Sequence, residues 1–188
     1  MGRDFQRRLI LLFGVLSLLC AAEPAGIWLD VPFVKQERNG CGAASVAMVM
    51  QYWQRQRGKV ADASSDARQV QRALYAKKAH GIYASDLGRY LEQHGFRTFA
   101  FHGEWSDLSQ HLENGRPLIV ALKPDSNSVA LHYVVVAGID AKRSLVFVND
   151  PAERKLREHE WSDFRREWNA ADDWTLLAVP REGASSAH

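Results

Sequence analysis

From Cys41 to Gln54 the chain reads Cys-Gly-Ala-Ala-Ser-Val-Ala-Met-Val-Met-Gln-Tyr-Trp-Gln, with no charge and no proline. Val46, Val49, Met50 and Trp53 recur at the spacing of one helical face, and Ala43, Ala44 and Ala47 leave the other sides small enough for close packing. This pattern predicts a central, largely buried helix that starts at or near Cys41. The chain has 188 residues, 46% of them apolar, enough for one hydrophobic core and not comfortably for two.

The remaining elements are predicted around that helix. Residues 28–36 read as extended, since Pro32 forbids a helix interior, and 37–40 as a polar turn. Residues 64–78 and 85–94 read as amphipathic helices, the second opened by Ser85-Asp86 and stopped by Gly95. A strand is expected at 97–101, a short helix at 105–113 and a buried strand at 117–122. Strands follow at 131–139, 145–149 and 174–179, with a helix around 160–168. Helices first and antiparallel strands later give an α+β order.

The ends read differently. Arg3, Arg7 and Arg8 precede an apolar run from Leu9 to Leu19, and Ala21-Ala22 offers a cleavage site, so residues 1–22 read as a signal peptide. The run is short for a permanent membrane span, which needs ~20 apolar residues. An uncleaved anchor, or lipidation at Cys20, is the alternative. Residues 27–180 form the expected domain, and 181–188 hold nothing to bury and read as a disordered tail. The expected location is exported, periplasmic or secreted.

Setting aside Arg3, Arg7, Arg8 and Asp4 from 24 basic and 22 acidic residues leaves 21 of each. A formally neutral chain argues against a nucleic-acid binder. Of two cysteines only Cys41 survives loss of the leader, so no internal disulfide is possible. A lone thiol in an exported protein is an oxidation liability. It is either a buried small hydrophobe or a reactive group.

Its neighbours favour reactivity. A cysteine where a turn enters a helix meets unpaired N–H groups and the positive end of the helix dipole, both of which favour the thiolate. Gly40 and Gly42 bracket it and suggest room for a peptide carbonyl. Gln36 stands five residues upstream, where its amide can join the Cys41 N–H as an oxyanion-hole donor. Of seven histidines, His132 has the most telling context, at the mouth of the run Tyr-Val-Val-Val-Ala-Gly-Ile. His80, His94, His102, His111 and His159 read as lying in loops or on polar helical faces.

The acid follows from hairpin arithmetic. With a turn at 140–143, Asp150 lies opposite either His132 or Val134, and in both cases on the face of His132. A register slipped by one residue presents Asn149 instead. Asp150 is preferred because Pro151, which cannot donate to a ladder, marks the strand end behind it. Asp150 is expected to hold Nδ1–H of His132 and leave Nε2 for the cysteine.

These residues resemble those of the C39-like cysteine peptidases of the papain-like superfamily. The resemblance rests on Val31-Pro32-Phe33 leading to Gln36, on Gln-Glu-Arg-Asn-Gly-Cys-Gly-Ala-Ala-Ser at 36–45, on His132 with its strand, and on Asn149-Asp150-Pro151. It implies a papain-like α+β fold, a helical half packed on an antiparallel sheet, with Cys41 as nucleophile, His132 as base, Asp150 as third member and Gln36 at the oxyanion hole. A peptide or protein substrate is implied, and neither cofactor nor metal. Exporter-linked members place aspartate before the cysteine where this chain has Gly40, and no transporter domain is expected to accompany it, so double-glycine specificity does not follow. A cell-wall peptide amidase or acyl transferase using the same trio, and a peptide-binding domain without activity, are the alternatives.

Overall fold

The computed structural model describes residues 26–124 and 131–181. The leader at 1–22 and residues 182–188 of the expected tail lie outside them. In chain order the elements are β1 (Ile27–Trp28), α1 (Cys41–Gln56), a 3-10 turn (Ala63–Ser65), α2 (Ala67–Leu74), a second 3-10 turn (Lys77–Ala79) and α3 (Ala84–Gln93). Then come β2 (Phe96–His102), α4 (Trp105–Glu113), β3 (Leu118–Leu122), β4 (His132–Asp140), β5 (Leu145–Asn149), β6 (Arg157–Glu160), α5 (Trp161–Asn169) and β7 (Trp174–Pro180).

The strands form a seven-stranded antiparallel sheet in the order β2-β7-β3-β4-β5-β6, and β1 takes over from β3 along the far half of β4. Every residue of β3 is buried, which requires cover on both faces of the sheet. Ile119, Ala121, Tyr133 and Val135 pack with Val46, Val49 and Met50 of α1 and with Leu87 and Leu91 of α3. Leu118, Val120, Val134 and Val136 pack on the other side with Leu108 and Leu112 of α4 and Phe164 and Trp168 of α5. The α+β class expected from the sequence holds.

Helix α1 is as buried as its alanines and valines predict: Gly42 to Met50 and Tyr52 are all covered. Two bonds fix it across the sheet. Ser45 Oγ donates to the Tyr133 carbonyl at 3.1 Å, and the Trp53 indole donates to the Ala178 carbonyl at 2.9 Å.

Three local expectations need correction. The helix read at 64–78 is a 3-10 turn, α2 and another 3-10 turn, because Asp62 and Asp66 each cap a separate start, Asp66 accepting from the N–H groups of Arg68 and Gln69. Helix α3 begins at Ala84 behind Tyr83, with no side-chain cap, so Ser85 and Asp86 lie inside its first turn rather than at the cap. Strand β6 is an addition: Arg157-Glu158-His159-Glu160 turns only His159 fully inward, which leaves no apolar alternation to read.

One irregularity in β4 sets the register of the site. Asp140 pairs with Leu145, Ile139 with Val146 and Gly138 with Phe147, but Val136 pairs with Val148 and Val135 with Asn149. Ala137 is the extra residue of a bulge. The Leu29 N–H donates to its carbonyl at 2.7 Å, and a Cβ on Gly138 would stand 2.6 Å from the Ile27 carbonyl oxygen. The bulge therefore sits where the N-terminal strand crosses β4.

Candidate active site

Cys41 is the first residue of α1, preceded by Gly40 with no side-chain cap and no acidic residue in the first turn. The helix-start N–H groups are thus left for the thiol rather than for a competing oxygen. The turn that delivers it closes with Gly40 N–H donating to the Glu37 carbonyl at 3.0 Å, Asn39 taking positive φ. A Cβ on Gly40 would stand 2.5 Å from Gln71 Oε1, and one on Gly42 3.1 Å from Leu87 Cδ2. Both glycines are closely packed by the protein's own side chains.

His132 opens β4 opposite Leu122 of β3, where its side chain is 22% exposed. Without the bulge, Asn149 would take the place opposite Val136 and Asp150 would face the other way. The extra residue shifts the count by one and puts Asp150 on the His132 face, the second of the two registers expected from sequence. Asn149 is occupied elsewhere: fully buried, it donates to the Val31 carbonyl at 3.1 Å and accepts from Leu156 N–H at 2.9 Å.

Asp150 Oδ1 accepts from His132 Nε2–H at 2.8 Å and from Ala152 N–H at 2.9 Å, while Oδ2 accepts from Arg157 Nη1 at 3.2 Å. A carboxylate only accepts, so Nε2 carries the proton in this contact. This reverses the expected ring orientation: Nε2 serves the acid and Nδ1 is the ring nitrogen left for the sulfur, whose thiol makes a long hydrogen bond of 4.0 Å to the carbonyl of Leu131, the residue before His132. The hairpin register fixes which side chains share a face, but not which way a ring turns about its χ2 bond.

The charges reinforce one another. Burial pushes the Cys41 thiol up, but the hydrogen bond from His132, the N–H of Tyr133, the imidazolium charge and the N–H of Gly42 together hold it below its ordinary value. Burial alone would depress His132, yet its bonds to Asp150 and Cys41 and their charges raise it to about 9. Asp150 is 3% exposed; burial raises its pKa, and His132, Ala152 N–H and Arg157 more than reverse that. The three groups together favour a thiolate beside an imidazolium, oriented by a carboxylate.

Gln36 is tied to the same corner by its backbone, whose N–H donates to the Pro151 carbonyl at 2.9 Å. Its Oε1 is buried without a partner, and neither end of the amide bonds a described residue. His159, read from sequence as a loop or polar-face residue, is instead buried at 7% exposure in β6, edge-on to Phe164. Among the described residues no group of three His, Cys, Asp or Glu side chains is placed to hold a metal, and no helix is long and apolar enough to cross a membrane. A cavity of about 970 Å³ at the β2–β7 edge, lined by Trp53, Phe99, Phe101 and Leu177 among others, contains none of Cys41, His132 and Asp150.

Several solved structures share this fold. A double glycine motif protease from an AMS/PCAT transporter, crystallised with its leader peptide, matches at 21% identity and a TM-score of 0.62, covering 85% of this chain and 100% of that one. A C39-like peptidase from Bacillus anthracis matches at 15% identity and a TM-score of 0.65, over 84% and 99% of the two chains. The peptidase domain of Streptococcus ComA, a bifunctional ABC transporter of a quorum-sensing pathway, matches at 19% identity and a TM-score of 0.59, over 79% and 98%. At such identities the likeness is one of fold. No curated protein matches. The sequence model described as the Peptidase_C39 like family matches residues 28–175, most of the chain, and to that family this protein belongs.

Proposed function

We propose that the protein is a cysteine peptidase that cleaves peptide bonds through a thioester on Cys41. The observation that carries the proposal is the Asp150–His132 hydrogen bond beside a thiol at an uncapped helix start, whose pKa His132 helps hold down. The Cys41 thiolate attacks the substrate carbonyl carbon, forming a C–S bond while the carbonyl oxygen takes the negative charge. The Cys41 N–H and the Gln36 amide donate to that oxygen. The His132 Nδ1–H then protonates the departing amine as the C–N bond breaks. Water attacks the thioester, neutral His132 takes its proton, and the thiolate leaves. Asp150 keeps its bond to Nε2 throughout, which fixes the ring and supports the imidazolium at each stage. We further propose that the protein is exported after removal of residues 1–22.

Thiol chemistry gives the test. A thiolate paired with imidazolium is alkylated by iodoacetamide near pH 6, where an ordinary thiol is inert, and Cys41→Ser abolishes both labelling and peptide turnover. Labelling that needs alkaline pH, together with a Cys41→Ser protein as active as its parent, ends the reading. For export, the exported fraction is expected to yield a protein that begins at Glu23. A protein retained in the cell with Met1 or Gly2 at its start counts against it.

A further inference from the structure

Immediately ahead of the thiol, the turn at residues 37–39 forms one wall of a groove of about 600 Å³, and α2 with His80 forms the other. The two walls are tied together: Gln71 Nε2 donates to the Arg38 carbonyl at 2.8 Å. The lining is almost wholly polar and strongly biased in sign, with Arg38, Arg68 and Arg72 against a single carboxylate, Glu37. Glu37 takes Arg68, Oε1 to Nε at 2.8 Å. Arg38 and Arg72 have no carboxylate partner among the described residues, and both are exposed. Tyr75, 39% exposed, and His80 complete the groove with a further hydroxyl and a further donor.

Resting on the peptidase reading, we propose that this groove is a specificity subsite for a carboxylate of the peptide substrate, held by Arg38 and Arg72 within a few residues of the scissile bond. Arginine is suited to this, because its planar fork bonds both oxygens of a carboxylate at once. Reach supports the placement. Arg38 is three residues and Asn39 two residues before Cys41, so their Cα atoms stand no more than ~11 Å from that of Cys41. An extended substrate advances ~3.3 Å per residue, which puts the bound carboxylate within about four positions of the cut. The excess positive charge also draws an acidic peptide toward the cleft before it docks.

The test digests a mixed peptide library with the full chain and reads the products by mass spectrometry, once with free and once with amidated carboxyl termini. Asp or Glu enriched at a fixed position within four residues of the cut is the expected result. A requirement for the free terminus instead assigns the same carboxylate site to the substrate's chain end. The double variant Arg38→Gln/Arg72→Gln is expected to lower the ratio of kcat/KM for acidic over neutral substrates by about 10- to 100-fold, and Arg72→Glu is expected to turn the preference toward Lys. Melting curves establish that both variants are folded. Cleavage with no acidic or chain-end preference, or a preference that the double variant leaves intact, overturns the proposal. If the wild type cuts nothing, the peptidase reading fails. The groove is then judged by binding of acidic and neutral peptides to the Cys41→Ala protein, where equal affinity overturns it and an acidic preference lost in the arginine variants sustains it.

Discussion

The two faces of the sheet are filled in opposite ways. On the α1 face the fully buried Ala43, Ala44 and Ala47 sit among flexible aliphatic chains such as Met48, Met50 and Leu87, while the α4/α5 face is closed by large rings, with Phe164 and Trp168 buried and Trp161 stacked on Phe164 and edge-on to Trp168. Each face supplies one half of the site. Cys41 comes from α1, and its position depends on where a helix begins. His132 and Asp150 share the face of Val134, Val136 and Val148, which belong to the α4/α5 layer, and their position depends on strand register. The proposed reacting pair therefore meets at the start of β4 only if a helix start and a register are both correct, and damage to either face is expected to have its own signature.

The largest effect is expected at the meeting point itself. His132→Ala removes the proposed proton donor and a charge that lowers the thiol's pKa, so peptide turnover is expected to fall ~10²- to 10⁴-fold. Labelling of Cys41 by iodoacetamide should then move to the pH range of an ordinary buried thiol. Unchanged labelling at pH 6 would mean that the helix start alone ionises the sulfur, and that the two faces contribute separately.

The packing contrast is tested next by opposite substitutions. Trp168→Ala empties a site at 1% exposure and is expected to destabilise the fold by ~3–5 kcal/mol. Ala43→Leu, at 0% exposure, overfills the other face and is expected to cost ~1–3 kcal/mol. Denaturant midpoints measure both. A tolerated Ala43→Leu would show slack beneath α1 and remove the reason for its small residues.

Much of this arrangement was legible in the sequence because it rests on periodicity. The helix from Cys41, the short helix at 105–113 and the strand at 145–149 follow directly from the spacing of apolar residues, and so does the choice of His132 at the mouth of the longest apolar strand. What was not legible depends on contacts between distant segments. The extra residue Ala137 lies where β1 pairs with β4, and within β4 only Gly138, whose missing Cβ clears the Ile27 carbonyl, marks it. The ring orientation of His132 depends on a bond to Asp150, 18 residues away. Strand β6 is mostly charged because it lies at the sheet edge and turns just one residue, His159, fully into the interior. The hairpin count allowed Asp150 or, with a slip, Asn149; the bulge decides between them.

A smaller effect, visible in pH rather than in rate, is expected from Asp150→Asn. The amide still accepts from Nε2–H but carries no charge, so the His132 pKa should descend from about 9 toward its ordinary 6.5. The alkaline limb of kcat/KM, where His132 loses the proton it must donate, should descend with it. The stability that His132 contributes changes in the same direction. With a raised folded pKa it is fully present below 6.5 and lost as pH rises through about 9, so the variant should lose its share at lower pH. An alkaline limb that stays near 9 would assign it to another group and detach Asp150 from the imidazole.

The smallest effect is expected at Ser45, and it probes the link between the faces most directly. Ser45 lies one helical turn after Cys41, on the same side of α1, and its buried hydroxyl donates to the carbonyl of Tyr133, the residue after His132. The bond joins the helix that carries the thiol to the strand that carries the imidazole, within one turn of both. Ser45→Ala deletes one oxygen without enlarging the side chain, so the stability lost should be ~1 kcal/mol, a fall of ~2–4 °C in melting temperature for a domain of this size. If the bond only adds stability, the pH dependence of Cys41 labelling stays as in the parent. If it also sets the spacing of the two layers, labelling should shift upward by more than that loss explains, because the imidazolium and the Tyr133 N–H both act on the sulfur from β4. Ser45→Thr keeps the hydroxyl but adds a methyl group, and a shift restored by Thr would assign it to the bond rather than to packing.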